Sequence, residues 1–282
     1  MTTRTFRRLF PPSVPDSGPA YWLLFHDADL LMPADGVPTL LAGTSAALDG
    51  VEVGESFLLG TLDGQPLLVG VLPADAPIPA GYQPLGLRDV LAQGDAELIS
   101  LASYAAHLTH WNRSNRFCPT CGLPLSQLSD ASWGRGCANG HTLYPPVSPA
   151  TIVLIHDGDR VLLTSKPGWG KRYSLVAGFL EPGETLEECV AREVREEVGV
   201  EVADIQYVRS QAWPFPQQIM VGFLARYASG DIAVDTSELA DAQWFTRDTL
   251  PELPPPYTIS RQIIELWRNE GRSALEGWKV EG

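Results

Sequence analysis

The sequence predicts an α+β chain in three parts: a strand-rich amino-terminal domain over 1–116, a small ribbon over 117–146 and a larger domain over 147–282. Three observations predict this. Short apolar runs at 21–25, 57–59 and 67–72 are broken by Gly, Pro and Asp, as strands joined by tight turns require. Three of the four cysteines fall between positions 118 and 137. The stretch 178–200, GFLEPGETLEECVAREVREEVGV, has the apolar period of a helix lying on a core.

Composition narrows the function. With 44% hydrophobic and 19% charged residues the chain is ordinary for a soluble globular protein. Its formal net charge of −14 argues against a sequence-independent grip on duplex nucleic acid, which needs Lys and Arg on the phosphates. A nucleotide whose phosphates are bridged by a metal ion stays open, because the ion supplies the positive charge. Residues 1–15 contain basic positions without an apolar run behind them, so they do not read as a signal peptide. No stretch approaches the roughly 20 apolar residues of a membrane span, and clustered cysteines suit a reducing compartment. The expectation is a cytoplasmic protein with no membrane partner.

In the first domain, a helical pattern starts at Leu87 and continues through Val90, Leu91, Leu98, Leu101, Ala102, Ala105 and Leu108. Arg88, in its first turn, either faces a substrate phosphate or is solvated. His107 and His110 have no matching ligands nearby in the sequence and read as structural. In the ribbon, Cys118 and Cys121 form a C-x2-C knuckle with metal-site spacing. Cys137 follows, but Gly140 stands where a second C-x2-C would place its cysteine, and His141 comes next. Three cysteines with one histidine make a recognised closed, structural Zn2+ site. The alternative is a decayed ribbon without metal.

The third domain opens with a buried strand over 150–155, a turn at Asp157-Gly158 and a return strand over 160–164. Gly178 is expected to end a strand and bend the backbone. Thr185 with Glu188 forms a capping box, and Gly199 stands where a helix C-terminus takes glycine. Leu186, Val190, Val194 and Val198 form one apolar stripe, while Glu193, Glu196 and Glu197 lie in an arc beside it with Arg192 at its edge. Carboxylates three and four residues apart repel by about 0.2–0.5 kcal/mol per pair. Three of them at a core rim are therefore either solvated, as on a Glu-rich surface helix, or matched by cations. Oxygen-only ligands suit Mg2+ or Mn2+. Cys189, within this helix, reads as packed. Further on, residues 210–220, SQAWPFPQQIM, read as a stiff loop with stacking faces and amides, fit for a base or for packing on the core.

Gly178, Glu184, Arg192-Glu193, Glu196-Glu197 and Gly199 occupy the positions of the Nudix box, G-x5-E-x7-R-E-U-x-E-E-x-G-U with U aliphatic, without a departure. The chain thus resembles the Nudix hydrolases. Residues 210–218 resemble the SQPWPFPxS signature of the NADH pyrophosphatases, with Ala212 for its first proline and Gln218 for its serine. The resemblance implies a Nudix α/β/α sandwich with a mixed sheet. It implies that Glu193 and Glu197, helped by Glu196, Glu238 and the Ala177 carbonyl, hold two or more Mg2+ or Mn2+ ions. Arg192 then orients the glutamates, and Glu196 or Glu238 serves as general base. On the substrate side it implies Phe179, stacked on a ring, with Tyr144, Gln211, Ala212, Trp213, Pro214, Phe215, Pro216, Gln217, Gln218 and Ser260. The activity implied is hydrolysis of NAD(H) to nicotinamide mononucleotide and AMP, with removal of 5′ NAD caps from RNA, in a homodimer. A broader pyrophosphatase of ADP-ribose or dinucleoside polyphosphates would keep the box without needing the second signature. A non-enzymatic nucleotide sensor would be expected to have lost a metal-binding glutamate, and this chain has lost none.

Overall fold

The computed structural model describes residues 4–9, 18–44, 48, 51–128 and 132–276, the side chains of 127, 128 and 270–276 apart. Most of the stretch 1–15, in which no signal peptide is read, lies outside that set. The chain divides into two compact units, 1–146 with 214–217, and 147–213 with 218–282.

The first unit contains β1 (Phe6–Arg8), β2 (Pro19–His26), β3 (Asp29–Pro33), β4 (Leu41–Thr44), β5 (Glu55–Leu62), β6 (Gln65–Val71) and β7 (Tyr82–Leu85). They form one mixed sheet in the order β1-β5-β6-β2-β3-β7, with β4 also on β2 and β2 parallel to β6. The helical pattern from Leu87 is two helices, α1 (Leu87–Gln93) and α2 (Ala96–Ser114). Gly94 closes α1, and the Asp95 side chain accepts from the Leu98 amide as the N-cap of α2. The apolar spacing runs across the break, so periodicity alone merges the two. The ribbon's β8 (Leu125–Leu128), β9 (Arg135–Cys137) and β10 (Thr142–Leu143) form a small antiparallel sheet. Arg135 ties it to α2 by donating to the carbonyls of Asn112 and Asn115, groups a helix end leaves without partners.

The second unit holds β11 (Ser148–Asp157), β12 (Arg160–Ser165), β13 (Val176–Phe179), α3 (Leu186–Val198), β14 (Glu201–Trp213), β15 (Gln218–Ser229), β16 (Asp241–Thr246) and α4 (Ile259–Glu276). Its mixed sheet runs β14-β15-β11-β12-β16 with β13 on β11, and β11 is parallel to β15. The β11–β12 turn centres on Gly158-Asp159, one residue later than expected, since Asp157 pairs with Arg160. On one face Val190, Val194 and Val198 of α3 pack on Val153, Ile155, Val221 and Phe223. On the other, Ile259, Ile263, Ile264 and Trp267 of α4 pack on Ile152, Leu154, Val161 and Leu163. The result is the expected α/β/α sandwich.

The two sheets share a wiring. In each, a hairpin (β2–β3, β11–β12) has a short strand beside its first member (β4, β13), a parallel neighbour (β6, β15) and a last strand on its second member (β7, β16). The registers coincide: counted four residues back from the hairpin, Trp22 faces Leu41 and Val153 faces Val176. Leu41-Ala42-Gly43 is thereby equivalent to Val176-Ala177-Gly178. Where α3 covers the second sheet, Leu48, Val51 and Val53 pack against Trp22, Leu24 and Leu31 of the first.

Candidate active site

Local chemistry sets α3 in place. Thr185 Oγ1 accepts from the Glu188 amide at 3.2 Å and Glu188 returns a carboxylate to the Thr185 amide at 2.8 Å. At the other end Gly199 takes a left-handed φ of 73°. Glu193, on the rim, lies against β13. A Cβ built on Gly178 would meet the Glu193 Cδ at 1.8 Å. Gly178 lies inside β13, paired with Thr151, so the expected backbone bend is not its role. The missing side chain makes room for a carboxylate.

Arg192 organises this rim. Its Nε and Nη2 hold the Glu184 carboxylate, Nη1 donates to Glu193 at 2.8 Å and Glu196 at 3.0 Å, and Nη2 also reaches the Phe179 carbonyl at 2.9 Å. All five guanidinium N–H donors are thereby engaged. Hydrogen bonding from Arg192 holds Glu184 down to about 2. Burial pushes Glu193 up, against the pull of Arg192. Glu184 is a site residue that sequence reasoning misses, although its place in the box is the signal for a role. Phe179 keeps its main chain anchored while its ring is 52% exposed, so it is not core. Cys189 is packed as expected, beside Thr151, with its thiol raised by burial.

Glu197 departs from the expected rim position. It is 2% exposed and neither carboxylate oxygen has a hydrogen-bond partner. Desolvation pushes its carboxyl up to about 7; the Lys166 charge opposes this, and Glu193 and Glu238 reinforce it. The Ala177 backbone lies close enough to favour the charged form without reaching hydrogen-bond geometry. Glu238 is brought here by main-chain ties. Ala233 and Asp235 donate their amides to the Val198 and Glu197 carbonyls at 2.9 and 3.0 Å, satisfying the end of α3. The Glu238 amide then closes on the Asp235 carbonyl at 3.2 Å. Glu193, Glu197 and Glu238 thus come together from helix and loop. Lys166 acts on them through its charge and Asp235 ties the loop through its main chain, with no sequence motif to announce either.

A second group forms at the start of α4. Residues 210–213 and 218–220 are paired strand ends of β14 and β15 rather than a loop, and only 214–217 make the connection. Gln211 donates to the Tyr257 carbonyl at 2.8 Å and accepts from the Ile259 amide at 2.8 Å. Trp213 and Tyr257 are near-parallel, 17° apart with centroids at 6.5 Å. Ser260 is buried against Thr258. Ala212 and Pro216 are exposed, Pro214 is buried, and Gln217 and Gln218 are half-buried. Within the first unit, to which 214–217 belong, Arg88 lies 4.2 Å over the Phe215 ring. Tyr144 is 60% exposed and lies beside Gly134.

In the ribbon, the potential ligand atoms of Cys118, Cys121, Cys137 and His141 all lie within 4.8 Å of one another. Cys118 Sγ and Cys137 Sγ are each 3.6 Å from His141 Nδ1, and Cys121 Sγ is 3.7 Å from Cys137 Sγ. These match the edges of a tetrahedron around one ion with bonds of about 2.0–2.3 Å. Gly140, at φ 79°, lets the turn after Cys137 close and deliver His141 to the fourth corner. The cluster can hold a metal ion. Among the described residues no carboxylate group closes as tightly. His107 Nε2 lies 2.8 Å from the Pro146 carbonyl, a structural contact.

Known proteins share this fold. A NUDIX domain model matches residues 146–267, and a model of an NADH pyrophosphatase-like rudimentary NUDIX domain matches 19–111. The chain is 43% identical over 213 residues to the NAD-capped RNA hydrolase NudC of Pseudomonas putida strain W619, covering 74% of this chain and 76% of that protein. The protein of the same name from Pseudomonas fluorescens Pf-5 is 44% identical over the same length and shares. That of Pseudomonas aeruginosa LESB58 is 43% identical over 221 residues, 77% of this chain and 78% of its own. With an unbroken box on α3, a mixed-sheet sandwich around it and relatives of this identity, the chain belongs to the Nudix hydrolase family.

Proposed function

We propose that this chain is a divalent-metal-dependent pyrophosphatase that hydrolyses NAD(H) to nicotinamide mononucleotide and AMP and removes NAD caps from RNA 5′ ends. One observation carries the reading: Glu197 is buried with both oxygens unpartnered beside Glu193 and Glu238, in a chain whose relatives at 43% identity are named NAD-capped RNA hydrolases. A buried carboxylate with no donor fits a ligand of a hard cation, and the donor set is oxygen only. Glu193, Glu197, Glu238 and the Ala177 carbonyl would hold Mg2+ or Mn2+. When bound, the ions offset pyrophosphate charge and acidify a water.

The protein's own part follows from its geometry. Arg192 fixes the rotamers of Glu184, Glu193 and Glu196 with one planar fork. Glu196 has a side chain 58% exposed and Glu238 lies on an exposed turn, so either can accept the proton of an attacking water. The exposed Phe179 ring and the Trp213–Tyr257 pair offer faces for the base and nicotinamide, and Ser260 and Gln218 supply polar edges. The ribbon is read as a Zn2+ site of structural kind, within a division into 1–116, 117–146 and 147–282. A cytoplasmic homodimer completes the reading. Among the described residues no helix is long and apolar enough to cross a membrane.

The test is product analysis on NADH and on 5′-NAD-capped RNA, with Mg2+ and with Mn2+. Wild type should release nicotinamide mononucleotide from both, and Glu197→Gln should fall at least about 100-fold, as loss of a charged ligand implies. Cleavage of ADP-ribose with neither NAD substrate touched would instead support a broader pyrophosphatase retuned by Ala212 and Gln218.

A further inference from the structure

Arg192 and Lys166 both act on the glutamate cluster, and they differ in how far they are engaged. Arg192 has every N–H on Glu184, Glu193, Glu196 or the Phe179 carbonyl. Lys166 does not. Its charge acts on the buried Glu197 carboxylate, yet Glu197 keeps both oxygens without a partner. Among the described residues no carboxylate lies within 4.0 Å of the Lys166 ammonium, which leaves space between cation and carboxylate.

The stem of Lys166 is fixed. Ser165, just before it, pairs with Asp241 in the β12–β16 ladder. The Ser165 carbonyl accepts from the Ala240 amide at 2.8 Å, and its hydroxyl donates to the Arg172 carbonyl at 2.9 Å. Ala240 is two residues past Glu238, on the loop whose earlier part is tied to the end of α3. The half-buried Lys166 therefore starts from a fixed point on the Glu238 side of the sheet, and among the described residues no carboxylate pairs with its charged end.

A site lined by glutamates repels a polyanion, so a substrate pyrophosphate there needs fixed positive charge besides the ions that bridge it. A compact ammonium on a flexible stem meets a phosphate oxygen as a point charge. We propose that Lys166 binds a non-bridging oxygen of the substrate pyrophosphate. This deepens the pyrophosphatase reading and rests on it.

The experiment compares wild type, Lys166→Met and Lys166→Arg. For NADH with Mg2+, Lys166→Met is expected to raise KM about tenfold, as loss of a charge-assisted hydrogen bond does, with kcat within about threefold; Lys166→Arg should recover most of the KM. Mn2+ binding without substrate, followed by electron paramagnetic resonance, should be as tight in Lys166→Met as in wild type or tighter, since a removed positive charge does not weaken cation binding. Inorganic pyrophosphate with Mg2+, titrated calorimetrically, should bind the methionine variant about tenfold more weakly. An unchanged KM, unchanged pyrophosphate binding, or a lower kcat together with weakened Mn2+ binding would each overturn the proposal. Wild type that binds pyrophosphate through Lys166 but leaves NADH intact would overturn the substrate reading and leave the lysine assignment standing.

Discussion

At the scale of single residues the site is a problem of charge. Glu197 has its carboxyl raised from the ordinary 4.5 to about 7, chiefly by burial. The fold thus holds its proton more tightly than the unfolded chain does. The stability linked to that proton is complete below about pH 4.5 and is lost as pH climbs through 7. At about 1.4 kcal/mol for each tenfold change in proton affinity, the loss is about 3 kcal/mol. In buffer free of Mg2+ and Mn2+ but with any metal of the ribbon retained, wild type should lose that much more stability than Glu197→Gln between pH 5 and pH 8. Chemical denaturation at a series of pH values measures it, and parallel curves would refute the assignment. Divalent cation should flatten the wild-type curve, because it binds the ionised form. Arg192 shows the same economy of charge. A lysine in its place would bring three donors on one atom to acceptors spread over three carboxylates and a carbonyl.

At the scale of elements, α3 was legible to the residue because its determinants are local: a capping box, a four-residue apolar stripe and a C-terminal glycine all lie inside one stretch. Thr185→Ala should cost about 1 kcal/mol through the lost cap and leave turnover nearly intact. Gly199→Ala should cost more, about 2 kcal/mol, because φ is 73° and the new Cβ would approach the Ala233 Cβ at 2.8 Å. It should also lower turnover, since Ala233 and Asp235 carry the loop that holds Glu238. Thermal melting and steady-state rates on the two variants check this, and equal activities would break the link from helix end to loop. What was not legible depends on partners far along the chain. The 13-residue β14 alternates poorly because its pairing with β15 shifts register three times. The burial of Glu197 comes from a sheet, not from its own helix. The amide of Gln211 holds main chain at the start of α4, 46 and 48 residues further on, a tie that no local pattern announces.

At the scale of the whole molecule, the ribbon illustrates a core too small to stand alone. Its three strands are two to four residues long, and its knuckles are closed by single turns at Gly122 and Gly140. Cys118→Ser should abolish stoichiometric metal binding by the ribbon and strip hydrogen-exchange protection from the Gly122 and Gly140 amides, while β11 and β15 keep theirs. Full protection with that metal removed would mean that the ribbon folds without it. The shared wiring of the two sheets has a historical consequence. Gly178 is small because a glutamate from α3 crosses it, and Gly43 stands at the equivalent place although no such helix follows among the described residues. A shared wiring, register and glycine are what duplication of one ancestral sheet leaves behind, and the first unit matches a rudimentary NUDIX domain. In that history the covering by Leu48, Val51 and Val53 stands on the first sheet where the second keeps α3.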